Sequence, residues 1–100
     1  MENKDIMNEV TVSGKYLEYK GKPLVREGDT ICYGDMNDKC ILILEILSYK
    51  KENGKDLPDD VFIQVVDSNN QTNILRQGSE KGLFEAFELG LIWLEHELKK

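Results

Sequence analysis

Residues 40–49 read CILILEILSY, and the reading of this run decides the fold. In an extended chain successive side chains point to opposite faces. Ile41, Ile43, Glu45, Leu47 and Tyr49 then share one side, and Cys40, Leu42, Leu44, Ile46 and Ser48 the other. Both sides are largely apolar, which predicts a central strand covered on both faces. VFIQVVD, residues 61–67, has the same character and is expected to return beside it as a long hairpin. Between them KKENGKDLPDD is charged and carries Asn53-Gly54 and Pro58, so it reads as a loop.

Working outward to the N-terminus, TICY (30–33) is β-branched and aromatic, hence strand. Residues 34–38 are a loop, and Gly28-Asp29 a turn. Pro23 opens a strand over 24–26, since a missing N–H is tolerated at a strand start. Lys20-Gly21-Lys22 is a turn following a strand that contains Tyr16, Leu17 and Tyr19. Val10 and Val12 mark a further short strand. Residues 1–9 are polar and unpatterned and read as a flexible tail, leaving 10–100 as one domain. Toward the C-terminus SNNQ (68–71) turns, Thr72–Arg76 is a last strand, and Gly78 breaks it. Ser79 is the expected helix N-cap, with Glu80 in the first turn.

Strands gathered before a single helix predict an α+β fold. The expected form is a curled antiparallel sheet, or a small SH3-like open barrel, of about five to six strands with one C-terminal helix packed on it. GDTICYG (28–34) after a tight hairpin resembles small SH3-like barrels at the level of pattern, and that resemblance implies the barrel form.

The terminal helix holds more apolar residues than one face needs. At about 100° per residue, Leu83, Phe87, Leu91, Leu94 and Leu98 fall in one arc, the expected core stripe. Ala86, Leu89 and Trp93 form a second stripe, and Ile92 stands among glutamates. Either the sheet wraps far enough to bury this second stripe, or Ala86, Leu89, Ile92 and Trp93 form a contact surface for another chain. Gly82 and Gly90 each cost roughly 1 kcal/mol in a helix interior, which predicts a close neighbour at each.

Candidate chemistry is sparse. The net charge of −6 repels phosphate backbones, so nucleic-acid binding is disfavoured despite Lys15, Lys20, Lys22 and Arg26 near strand tyrosines. Cys32 and Cys40 read as reduced thiols acting as small hydrophobes. His96 is the one histidine and is expected to be a solvated residue near the helix end. These residues are too few for a structural zinc site, and the acidic loops lack the ligand order of a calcium loop. Phosphate-binding and nucleophile-elbow motifs are absent from the sequence. No cofactor, no metal and no enzymatic activity is therefore expected. No secretory leader and no apolar run near the ~20 residues of a membrane span are found, so a soluble cytoplasmic protein is expected.

Two functions follow as expectations. The first is a non-catalytic protein-interaction module, using a sheet face or the Trp93 stripe to bind a protein, or its own copy as a homodimer. The alternative is an acidic inhibitor that mimics nucleic acid in a basic channel, a kind of protein that mobile elements encode. Glu80, Glu85, Glu88, Glu95 and Glu97, or the Asp56–Asp60 loop, would supply its negative surface.

Overall fold

The structure, a computed structural model, describes residues 10–13 and 16–100. The expected tail over 1–9 and Lys15 lie outside the described residues. The elements run β1 (Val10–Ser13), β2 (Tyr16–Tyr19), β3 (Lys22–Glu27), β4 (Thr30–Tyr33), β5 (Cys40–Ile46), β6 (Tyr49–Glu52), β7 (Lys55–Pro58), β8 (Asp60–Asp67), β9 (Ile74–Lys81) and α1 (Leu83–Leu98).

Seven strands form one antiparallel sheet in the order β1-β2-β3-β4-β5-β8-β9, and β6-β7 is a separate two-stranded hairpin. The α+β architecture with one C-terminal helix on the sheet is therefore observed. The sheet is open and does not close into a barrel.

The paired apolar runs do become the centre of the sheet. β5 and β8 pair in full register, Cys40 opposite Asp67 and Ile46 opposite Val61. Leu42, Leu44, Val61, Ile63 and Val65 are fully buried on the face that carries α1. Each such side chain contributes about 1.5–3 kcal/mol by leaving water. Gly90 explains how α1 sits so low. A Cβ there would come within 2.6 Å of Leu42 Cδ1, so only glycine lets the helix reach the sheet at that point. At the side of this core Phe87 meets Tyr19 and Tyr33 edge-on, and the two tyrosines are tilted against each other, with ring centroids 5.6–5.8 Å apart. The Tyr33 hydroxyl donates to the Tyr19 carbonyl at 2.7 Å.

Four expectations need correction. The strand through 40–49 ends at Ile46, and Tyr49 opens β6. The cause is a knot of hydrogen bonds at the sheet end: Leu47 N–H to the Asp60 carbonyl, Asp59 N–H to the Ser48 carbonyl, and the Ser48 hydroxyl to Asp60. Next, the charged segment is a hairpin rather than a loop. Asn53 (φ 52°) and Gly54 (φ 78°) take the positive angles of a tight two-residue hairpin turn, which a reading of Asn-Gly as a mere breaker misses.

β9 also continues through Gly78 and Ser79 to Lys81, so Ser79 is not an N-cap. Gly82 fills that position without a side-chain cap, its φ of 88° turning the chain from strand to helix. Pairing with the eight-residue β8 outweighs the glycine signal, and β9 follows it to Asp60 opposite Lys81. Finally, β5 is covered along its whole length on the helix face only: on the other, Ile41 is buried, Ile43 half-buried and Glu45 exposed.

Candidate functional site

The sheet leaves one broad surface without a helix. Register places Val25, Cys32, Ile43, Gln64 and Gln77 in one row across β3, β4, β5, β8 and β9, on the face opposite α1. This row carries no charge. Phe62 is half-buried in the adjacent row, between Glu45 and Ser79. Val25 is 45% exposed and Met36, at the rim, 53%. Pro23, Val25, Cys32, Met36 and Ile41 line a shallow hollow of about 420 Å³ here. Its floor is set by Gly34, whose φ of 133° carries the chain over Ile41; a Cβ would lie 3.2 Å from Ile41 Cγ2.

The helical stripe is divided by the structure. Ala86 is fully buried in the core. Leu89 and Trp93 are half-buried and pack on its margin, and Ile92 is 61% exposed. Trp93 owes its position to Gly78: a Cβ on Gly78 would stand 2.7 Å from the indole Cη2. The Arg76 guanidinium lies 4.7 Å from the ring centroid, a cation–π contact. Sequence reading missed this partnership, because Gly78 looked like a strand terminator rather than a seat for the indole.

Several polar side chains are paired within the chain. Asp60 bonds Lys81 at 2.6 Å and accepts from Ser48, which holds its carboxyl below the usual range, while the same contact raises Lys81. Tyr49 donates to Asp29 at 2.6 Å. Tyr19 and Tyr33 are buried in the core, so neither presents a ring for base stacking. Cys40 lies in the helix-side core and Cys32 on the opposite face, so the sheet itself separates them. Burial pushes both thiols up, and Glu27 and Glu45 add to this at Cys32. A protonated thiol is a poor nucleophile.

His96 is exposed and near the helix end. Glu97, counted among the acidic surface residues, is instead buried and bonded to Lys100 at 3.2 Å. Among the described residues no group of three or more His, Cys, Asp or Glu side chains is placed to hold a metal ion. Among those residues no helix is long and apolar enough to cross a membrane. No protein-family model matches the chain, and no curated protein and no solved structure matches it.

Proposed function

We propose that the chain is a non-catalytic protein-interaction module that binds a protein partner through the helix-free face of its sheet. The carrying observation is the uncharged row Val25–Cys32–Ile43–Gln64–Gln77 beside an apolar hollow edged by Met36. A helix or second sheet usually covers such a face within a domain, and exposed apolar patches mark binding surfaces. An uncharged centre favours a partner held by apolar burial rather than by charge.

The test is capture of the partner at about 0.1 M and about 1 M salt, over which the screening length falls from ~10 to ~3 Å. Binding is expected to persist at the higher salt and to disappear in the double variant Val25→Asp, Met36→Asp. Binding that fades with salt, or that survives the double variant, overturns the reading. The acidic-mimic alternative has less support, because several of its carboxylates are paired. Asp56 meets Lys51 at 3.0 Å, Asp60 meets Lys81 at 2.6 Å and Glu97 is buried against Lys100.

A further inference from the structure

The sheet has two edges, and they differ. β1 is four residues long; β9 has eight and is the last strand of the order, with β8 as its one neighbour among the described residues. Its outer side presents a row of N–H and C=O groups, a template for another strand. Natural edges are commonly blunted by shortness, proline, a bulge or charged side chains. β9 contains no proline, and the irregularity in its pairing falls near its start, at Val65/Val66 of β8. What it does carry is charge, and that charge has a pattern.

We infer that β9 is a self-pairing edge through which two copies of this chain join as a two-fold dimer. A two-fold axis perpendicular to the sheet makes the strands antiparallel and keeps both helices on one side. Centred on Gly78, it sets Arg76 opposite Glu80 of the second copy, and Glu80 opposite its Arg76. Both residues lie on the helix side, since they pair with Val65 and Val61, two core positions. The register therefore produces two opposite-charge cross-strand pairs, which such positions favour. Moving the centre to Gln77 or Ser79 leaves no Arg–Glu pair.

The same axis brings the helical stripe into use. Trp93 stands over Gly78, and directly opposed Cα atoms of antiparallel strands are about 4.5–5.5 Å apart. The two indoles thus approach each other over a pair of glycines, each backed by its own Arg76. Leu89, one helical turn from Trp93, lies on the same flank. The half-burial of Leu89 and Trp93 in one protomer becomes full burial in two. This contact uses an edge of the sheet and is independent of the face proposed above.

The test is sedimentation equilibrium of the full chain across a wide concentration range, with tryptophan emission followed in parallel. Trp93 is the one tryptophan, so its emission reports on the axis directly. A dimer with concentration-dependent, blue-shifted emission is expected. Glu80→Arg and Arg76→Glu should each weaken it about tenfold or more by placing like charges opposite. The double reversal Arg76→Glu, Glu80→Arg restores complementarity and should restore the dimer, which a merely misfolded strand would not do. A strict monomer at high concentration overturns the inference. So does a dimer indifferent to the single reversals, or one abolished by Val25→Asp, Met36→Asp. The last result would move the contact to the open face and leave the interaction-module reading standing.

Discussion

The two faces of this sheet are made by the same strands and alternate residue by residue, yet they are different materials. On the helix side Leu42, Leu44, Ile63 and Val65 interlock with Ala86, Phe87, Gly90 and Leu94 and exclude water. On the other side their sequence neighbours Ile43, Phe62 and Gln64 are half-buried, and Val25 and Met36 are open. Under the helix burial is complete, whereas on the other face it is graded: Ile41 and Val66 are buried, and Val25 and Met36 are open.

Truncating neighbours on opposite faces should separate the two most strongly. Leu44→Ala should cost about 2–5 kcal/mol, because transfer and cavity terms add at a fully buried site. Ile43→Ala, one residue away, should cost roughly 1 kcal/mol, its side chain being half in water already. Denaturant unfolding measures both, and equal costs would mean that the two faces are equally packed.

Next comes the floor of the helix. Gly90→Ala gains about 1 kcal/mol of helix propensity. It also drives a methyl to within 2.6 Å of Leu42 Cδ1 and 2.9 Å of Leu42 Cδ2, so the fully buried Leu42 side chain must shift. Overpacking of this kind costs about 1–3 kcal/mol, so the net change should be destabilising by roughly 1 kcal/mol. A more stable Gly90→Ala variant would show that the helix rides higher than the packing requires.

Tyr33 tests the covered side by pH. Burial first, with Tyr19 and Glu95 adding, pushes its hydroxyl up from 10.0 to about 12. The folded state then holds this proton more tightly than the unfolded state. Its contribution is fully present below about pH 10 and is lost as pH rises through about 12. Melting temperature should fall over that window, and Tyr33→Phe should remove this part of the fall. The variant also loses the bond to the Tyr19 carbonyl, worth about 1 kcal/mol at neutral pH. The smallest effect belongs to the open face: Val25→Thr keeps the β-branch and should change stability by under about 0.5 kcal/mol.

Much of the sheet was legible because alternation and turn residues are local signals. TICY is β4 residue for residue, and VFIQVVD lies within β8. The β6–β7 hairpin was not legible. Its strands are exposed and bury no apolar face, so no hydrophobic pattern announces them; the turn Asn53-Gly54 and the Lys51–Asp56 pair accompany the pairing instead. The N-terminus of α1 was misplaced for a related reason. Gly78 and Ser79 carry stop and cap signals, but a strand partner eight residues long overrules them.

Of the candidate surface, Ile92 is exposed and Trp93 half-buried. The buried place of Ala86, and the pairing of Trp93 with Gly78 and Arg76, required coordinates. The sequence by itself determined which segments extend, where most turns fall and that one amphipathic helix closes the chain, since these depend on residues a few positions apart. Which face of the sheet receives that helix, and where the indole rests, were settled by the assembled fold. Those outcomes depend on residues far apart in the chain meeting at one place, and no local pattern encodes the meeting.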